Sequence, residues 1–292
     1  MINKKISSYF LFLAFLVTIA SCNKEDYTGY STLTATDAKG TLSWSVPTAL
    51  TETDTTFTFT VTLDKPQIAD IHILISQTDG DATQGSDFDV TGEIIIPAYA
   101  TSGTGEFKIF GDAEVEGTET VTIQIGDNSL SNLDLEPQTR TVQIANYVAP
   151  MLDLVFDWGG TATVDGTEVS LCAEVDIDVY VFDVDENDLG IYGAATGACP
   201  EHLVLDGMAD GDYYLWANLY ANTARPTDGS VIGFPVTVYA TQPGLFENTV
   251  YSQAEANALN SSDPDYATDG ANTFKPIVKV SVSGANYTIT VL

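Results

Sequence analysis

The feature that most constrains this chain is a strict alternation of apolar and polar residues. Between Phe57 and Leu63 every second residue is apolar, and a threonine stands at each position between them. The same period of two returns at Glu119–Ile125. This period matches a β-strand with one buried face, because successive side chains of a strand point to opposite sides of the sheet. The pattern predicts an all-β protein built from antiparallel sheets.

The length of the chain predicts two domains. Its 292 residues are enough for two domains of average size, and a hydrophobic content of 44% is ample for packed cores. The segment Tyr147–Pro150 separates two strand-rich regions. We therefore predict two antiparallel β-sandwiches in tandem, a first one over residues 41–147 and a second, jelly-roll-like one over residues 150–292.

Two segments of the predicted second sandwich are expected to differ from their neighbours. Ser170–Ala173 is predicted to be a short strand. The stretch from Leu245 to Phe274 is polar, so we predict a long connection there, with a short helix at Gln253–Leu259. Loops of this length are usually functional or mobile.

The charge of the chain limits its partners. Forty-one acidic residues against ten basic ones give a net charge of −31. Such a field repels nucleic acid and anionic lipid and attracts cations, so nucleic acid is not an expected partner. An alternative reading is that the charge only keeps an extracytoplasmic protein soluble.

The N-terminus predicts a signal peptide. Lys4 and Lys5 precede the apolar run Tyr9–Ile19, which is short for a membrane span. The run ends in the sequence IASC at Cys22, which resembles the lipobox of bacterial lipoproteins. That resemblance implies removal of residues 1–21 and attachment of lipid to Cys22. The alternative is a secretory signal followed by a chance cysteine.

The residues after Cys22 predict where the protein is located. Lys24-Glu25-Asp26 resembles the export signal that sends Bacteroidota lipoproteins to the outer face of the outer membrane. Residues 22–40 are polar and are predicted to form a flexible tether. The expected location is the outer membrane, facing the cell exterior, with contact to the membrane through the lipid anchor alone.

Acidic residues between Gln77 and Gly126 gather where predicted strands end. Loops at one end of a sandwich converge, so Asp87, Asp112 and Glu116 can meet although they are distant in sequence. Carboxylate oxygens are the ligands that Ca²⁺ requires, at six to eight oxygens per ion. The alternative is that these acids cap turns and accept backbone hydrogen bonds.

Two motifs in this region resemble those of the Calx-β domain, an antiparallel sandwich associated with Ca²⁺ sensing. They are GSDF at residues 85–88 and the run DAEVEGTE at residues 112–119, and the resemblance covers roughly residues 42–147. It implies Ca²⁺ ligands at Glu52, Asp87, Asp112, Glu116 and Glu119.

The sequence departs from the Calx-β pattern at two places. Gly111 replaces the first member of an Asp pair, and Ile144–Tyr147 stands where exchanger-type domains carry a run of acids. The sequence therefore lacks some of the acidic ligands that a cluster of several ions would need, and we expect one structural Ca²⁺.

The second sandwich offers less specific signals. The stretches VDIDVYVFDVDENDLGIYG and GDYYLWANLY resemble pre-peptidase C-terminal and related jelly-roll modules, which implies an accessory sandwich and no particular functional residue. Once Cys22 is set aside, Cys172 and Cys199 remain and can form one disulfide in an oxidising compartment.

One strand of the second sandwich carries aromatic residues on both faces. Tyr214, Trp216 and Asn218 share the face opposite Leu215 and Leu219, and only one of the two faces can be core. Tyr214 and Trp216 could stack on a sugar ring with Asn218 as a polar partner. The alternative is that this face packs within the protein.

Catalytic signals are poor in the sequence, and a hydrolase is the third reading. The sequence contains no G-x-S-x-G, H-E-x-x-H or P-loop motif, and His72 and His202 are its two histidines. We therefore predict a protein that is not an enzyme and acts as a surface adhesion or interaction module. The alternative is a glycan-binding accessory lipoprotein of a polysaccharide uptake system.

Overall fold

The computed structural model describes residues 38–127, 133 and 135–292. The predicted signal peptide, the predicted lipidation site Cys22 and residues 23–37 of the predicted tether lie outside the described residues. Within the described part of the chain, no helix has the length and apolarity needed to cross a membrane.

The first nine strands build one sandwich of two sheets. In chain order they are β1 Gly40–Trp44, β2 Ala49–Thr51, β3 Thr55–Leu63, β4 Ile71–Gly80, β5 Phe88–Val90, β6 Glu93–Ile96, β7 Ser102–Ile109, β8 Glu119–Ile125 and β9 Gln138–Ala145. One sheet has the order β1-β3-β7-β5 and the other the order β2-β9-β8-β4-β6. All neighbours run antiparallel except β2, which pairs with β9 in parallel.

The alternation in β3 explains the core of this sandwich. Phe59, Val61 and Leu63 are buried, while the threonines between them face outward. Phe107 stacks on Phe88 with ring centroids 5.7 Å apart. Buried residues of both sheets form one cluster, so the two sheets meet through the apolar face that the period of two predicts.

The remaining strands build a second sandwich. They are β10 Met151–Asp157, β11 Thr161–Val164, β12 Thr167–Ser170, β13 Val175–Phe182, β14 Glu201–Asp206, β15 Gly211–Asn222, β16 Gly233–Phe234, β17 Thr237–Gln242, β18 Phe246–Ser252, β19 Leu259–Asn260, β20 Phe274–Ser283 and β21 Asn286–Val291. Two single-turn helices, α1 Leu171–Glu174 and α2 Tyr266–Asp269, and a 3₁₀ turn at Glu255–Asn257 interrupt them.

The two main sheets of this sandwich have the orders β14-β10-β17-β18 and β13-β15-β20-β21, and two short pairs, β11-β12 and β16-β19, accompany them. Its buried residues form a cluster separate from that of the first sandwich. Trp158 is buried in this core, and its indole N–H donates to the carbonyl of Val175 over 3.0 Å. The all-β prediction is confirmed.

Three local predictions are wrong. Ser170–Ala173 is the end of β12 and the start of α1, because the chain has to turn from the β11-β12 hairpin into β13 there and only Leu171 is buried. The connection after Leu245 contains β18, an edge strand whose side chains are mostly exposed and which therefore lacks an apolar period. Of the helix predicted at Gln253–Leu259, only the 3₁₀ turn forms.

Candidate metal centre

Four acidic side chains meet at one end of the first sandwich. Glu52 directly follows β2, Asp87 directly precedes β5, and Glu119 is the first residue of β8. Glu116 lies in the loop between β7 and β8. Two backbone hydrogen bonds hold this end together, from Glu52 N to the carbonyl of Ala145 (2.9 Å) and from Phe110 N to the carbonyl of Asp87 (3.0 Å).

The carboxylate oxygens are close enough to share one ion. One oxygen from each of Glu52, Asp87, Glu116 and Glu119 lies within 4.8 Å of the other three. Ca²⁺ binds oxygen at 2.3–2.6 Å, so two ligands on opposite sides of one ion are about 5 Å apart. The cluster therefore has the dimensions of a single Ca²⁺ site.

Several of these oxygens have no hydrogen-bond donor. Glu52 is 2% exposed and Asp87 is 4% exposed. One side-chain oxygen (Oε2) of each of Glu52, Glu116 and Glu119 is buried without a hydrogen-bond partner. Asp87 differs, because its Oδ2 accepts from the backbone N–H of Thr83. Buried acceptors without donors are costly, and protons or a cation would satisfy them.

Burial and neighbouring negative charges raise the pKa values of the three glutamates in the cluster. Burial, followed by a hydrogen bond to Asp87 and by the negative charges of Asp87 and Glu116, raises the pKa of Glu119 to about 7. Burial first, and neighbouring carboxylates next, also raise the pKa of Glu52 and of Glu116. Each glutamate thus holds a proton more tightly than an isolated carboxyl group, which is the response of acids that lack a compensating positive charge.

Asp112 lies at the rim of the cluster. Its charge acts on Glu52 and Glu116, but it is exposed and its Oδ1 accepts from the backbone N–H of Glu114 over 2.9 Å. It lines an open cleft of about 480 Å³ next to Glu52 and Tyr147. The structure therefore brings four of the five predicted ligands together and places the fifth beside them.

The geometry also explains the glycine at position 111. A Cβ atom there would lie 3.1 Å from Cα of Thr53 and 3.4 Å from the carbonyl oxygen of Glu52. The turn between β2 and β3 is too close for a larger side chain without a shift of the backbone. The close packing that brings Glu52 to the site thus leaves little room for an acid at position 111.

The loop of this site also contacts the second sandwich. The N–H of Gly244 donates to the carbonyl of Ala113 over 3.1 Å. The side-chain amide of Asn146 donates to the carbonyls of Glu114 (3.1 Å) and Gly244 (2.8 Å). Hydrogen bonds therefore connect the loop between β7 and β8 to the turn after β17.

The predicted sugar-binding face is largely covered. Trp216 packs among other rings, with centroids 5.0 Å from Phe182 and 6.3 Å from Phe274. Asn218 is 1% exposed, and Tyr214 is partly buried. The prediction of Asn218 as the polar partner of a sugar does not fit the structure, because Asn218 is buried between Asp178 of β13 and Phe274 of β20 in the same sheet.

Cys172 and Cys199 form a disulfide. Asp157 lies near both sulfurs, but disulfide sulfurs are not thiolate ligands, so this group is not a metal site.

The sequence analysis missed one acidic cluster. Asp176, Asp178 and Glu201 of the second sandwich place their carboxylate oxygens within 4.8 Å of one another. The alternating acids of the VDIDVY stretch were a signal for two of them. Glu201 gave none, because it comes from the opposite sheet.

Comparisons with known proteins agree with the first sandwich. Residues 36–148 match the model of the Calx-beta domain family, which confirms the resemblance carried by the GSDF and acidic motifs. The match does not extend to the second sandwich. No curated protein matches the sequence.

Several solved structures share distant similarity with the chain. The apo form of the Calx CBD1 domain is 17% identical, with coverage of 38% of this chain and 97% of its own and a TM-score of 0.30. The calcium binding domain CBD12 of CALX1.1 is 15% identical, with coverage of 69% and 79% and a TM-score of 0.31. A Bacteroides ovatus ATCC 8483 protein proposed to bind carbohydrate is 11% identical, with coverage of 80% and 79% and a TM-score of 0.28.

Proposed function

We propose that this protein is a non-catalytic interaction module of the cell surface whose first sandwich binds one structural Ca²⁺. The observation that carries the proposal is the group of four carboxylates with three buried, unpartnered oxygens. Glu52, Asp87, Glu116 and Glu119 would be the protein ligands, and Asp112 would add negative charge at the rim. The match to the Calx-beta domain family supports this assignment.

The bound Ca²⁺ would hold the loop that carries Glu116 in place. Glu52 and Asp87 are fixed by neighbouring strands, whereas Glu116 sits in a loop with no strand of its own. An ion shared by all of them would tie this loop to the end of the sandwich. Such a stiffened end is suited to presenting a surface to a partner, because less conformational freedom is then lost on binding.

The proposed location is the outer membrane, with a lipid on Cys22 and the sandwiches facing outward. The proposed partner is another surface protein. Incorporation of labelled fatty acid into the parent, and its loss in Cys22→Ser, is the expected test of the anchor.

Calcium-dependent unfolding tests the metal site. At a Ca²⁺ concentration one hundred times the Kd, a ligand that binds only the folded state adds about 2.7 kcal/mol to the free energy of unfolding. We expect that gain in the full-length protein and its loss in the double variant Asp87→Asn/Glu119→Gln. Thermal unfolding in Ca²⁺ and in metal-free buffer measures it.

A matched control keeps the change of charge constant. Glu106→Gln/Glu136→Gln removes two charges from exposed positions of the same sandwich and should respond to Ca²⁺ as the parent does. If Asp87→Asn/Glu119→Gln retains the full calcium response, the site is wrongly assigned. If the parent shows no response at millimolar Ca²⁺, the first sandwich is not a calcium module.

A glycan-binding accessory lipoprotein of a polysaccharide uptake system is the second candidate. It is favoured by an aromatic pair other than the predicted one. The rings of Tyr220 and Tyr266 lie 5.7 Å apart, and the two residues are 40% and 49% exposed. Exposed aromatic rings can stack on sugars.

A glycan array separates the two candidates. The glycan hypothesis predicts binding that falls at least tenfold in Tyr220→Ala/Tyr266→Ala and is unchanged in Tyr99→Ala, which removes an exposed ring from the first sandwich. An array without a signal, together with a calcium response in unfolding, would support the interaction module instead.

A further inference from the structure

A second group of carboxylates lies where the two sheets of the second sandwich approach each other. Asp176 and Asp178 are on the outer face of β13, and Glu201 is the first residue of β14 in the opposite sheet. One oxygen from each lies within 4.8 Å of the other two. Asp178 is 7% exposed and Glu201 is 1% exposed, so two of the three are removed from solvent.

Glu201 is fixed by the loop in front of it. Its carboxylate accepts from the backbone N–H of Thr196 (2.8 Å), from the Thr196 hydroxyl (2.8 and 2.9 Å) and from the backbone N–H of Ala198 (3.0 Å). The disulfide between Cys172 and Cys199 ties the end of this loop to α1. Three donor groups therefore hold the carboxylate of Glu201 in position.

Buried oxygens beside this group lack donors. Asp176 Oδ1 and Asn218 Oδ1 are both buried without a hydrogen-bond partner. Asn218 is 1% exposed and lies directly opposite Asp178 in the β13-β15 register, so the two side chains are neighbours on one face. The amide nitrogen of Asn218 is used elsewhere, since it donates to Asn272 over 3.3 Å. Buried acceptors without donors are costly, and a hydrogen-bond donor or a cation would satisfy these two oxygens.

No basic side chain supplies that charge in the described part of the chain. The salt bridges found there involve other carboxylates, namely those of Glu93, Glu106, Asp153, Asp212, Asp265 and Asp269. The lack of a nearby positive charge is consistent with the raised pKa of Asp178. Burial first, and the charges of Asp176 and Glu201 next, raise the pKa of Asp178 to about 6.

We propose that Asp176, Asp178, Glu201 and the side-chain oxygen of Asn218 form a second Ca²⁺ site, independent of the one in the first sandwich. The donors are all hard oxygens, and both nearby cysteines are held as a disulfide, which disfavours zinc. A cavity of about 260 Å³ lined by Asp176, Asp178, Thr196, Gly197 and Tyr220 adjoins the carboxylates. It gives an ion access from solvent and leaves room for water ligands.

Calcium titration calorimetry of the metal-free full-length protein tests the proposal by counting ions. The parent should bind two Ca²⁺ ions, and Asp87→Asn/Glu119→Gln should bind one. Asp176→Asn/Asp178→Asn should also bind one and should keep the site of the first sandwich. Asp206→Asn is the matched control, because it removes an exposed charge from β14 and should leave two ions bound.

The single variant Asp176→Asn provides a test of the site that does not depend on the folding of the double variant. Asp176 is the least buried of the three acids, and its replacement should weaken the second site at least tenfold while near-ultraviolet circular dichroism of the ring cluster around Trp216 stays unchanged. In the Asp87→Asn/Glu119→Gln background, Tb³⁺ should show luminescence sensitised by nearby aromatic residues, and Asp176→Asn should remove it.

Two results would overturn the proposal. One is that Asp176→Asn/Asp178→Asn binds as many ions as the parent. The other is that Asp87→Asn/Glu119→Gln binds neither Ca²⁺ nor Tb³⁺ at pH 8, above the pKa of about 6 for Asp178, which would mean that the second cluster holds no ion. The first site is tested separately, by the difference in Ca²⁺ binding between the parent and Asp87→Asn/Glu119→Gln.

Discussion

The two sandwiches concentrate acids in different ways. In the first, the four carboxylates come from turns and strand ends, and three of them have a buried oxygen with no donor. In the second, two of the three acids lie within strand β13, and the third is held by three hydrogen bonds. The first cluster is thus assembled mainly by the convergence of loops, and the second mainly by a sheet, a pinned loop and a disulfide.

This difference indicates how much the structure of each site depends on a bound ion. In loop 110–118, hydrogen bonds hold Ala113 and Glu114, but a carboxylate oxygen of Glu116 is buried without a donor, so Ca²⁺ should contribute strongly to the position of Glu116. The 195–198 loop is already fixed by Glu201 and by the disulfide. Its site is preorganised, and Ca²⁺ should change its structure less.

Removing the disulfide should produce the largest effect in this comparison. Cys172 and Cys199 are 27 residues apart, and a crosslink that closes a loop of that size stabilises a protein by about 3–4 kcal/mol through the entropy of the unfolded chain. We expect Cys172→Ala/Cys199→Ala to lower the free energy of unfolding of the second sandwich by that amount. Denaturant unfolding followed by the fluorescence of Trp158 and Trp216 measures it.

Cys172→Ala/Cys199→Ala should also affect Ca²⁺ binding at the two sites differently. Its second Ca²⁺ site should weaken, because the loop that positions Glu201 is released, whereas the first site should bind as in the parent. A variant in which both sites weaken equally would contradict the view that the two clusters are held independently. Trp44 of the first sandwich, isolated by Trp158→Phe/Trp216→Phe, is the internal control for stability.

The sequence predicted the first cluster better than the second for a physical reason. Asp87 and Glu116 lie in turns between predicted strands, and such turns converge at the end of a sandwich, whereas Glu52 and Glu119 were implied only by the resemblance to the Calx-β domain. Asp176 and Asp178 occupy the polar positions of an alternating strand, which predicts solvent exposure.

The alternation of β13 does not show what lies beside Asp178. The segment that directly follows β13 pairs with it, with the N–H of Val179 donating to the carbonyl of Ala194 and the N–H of Leu189 donating to the carbonyl of Val181. Asn218 of the neighbouring strand is buried beside Asp178 on the same face. Strand β18 was missed for the opposite reason, since an exposed edge strand has no buried face to generate a period.

The pH dependence of stability is the smaller and finer test. In the absence of metal, Glu119 keeps its proton in the folded state up to about pH 7, whereas the unfolded chain loses it near 4.5. The folded state then binds more protons than the unfolded state between these values, so stability must fall as the pH rises through this window. For Asp178 the corresponding window runs from 3.8 to about 6.

We expect each loss to be about 1–2 kcal/mol after screening by solvent. Glu119→Gln should flatten the fall between pH 4.5 and 7, and Asp178→Asn should flatten the fall below pH 6, in denaturant titrations of metal-free protein. Ca²⁺ should reverse both slopes, because it binds the ionised carboxylates and its affinity grows as protons leave. If Ca²⁺ reverses the slope in the upper window alone, the first cluster binds the ion and the second is a protonated pair. If it reverses both, the two clusters differ in preorganisation and share the same chemistry.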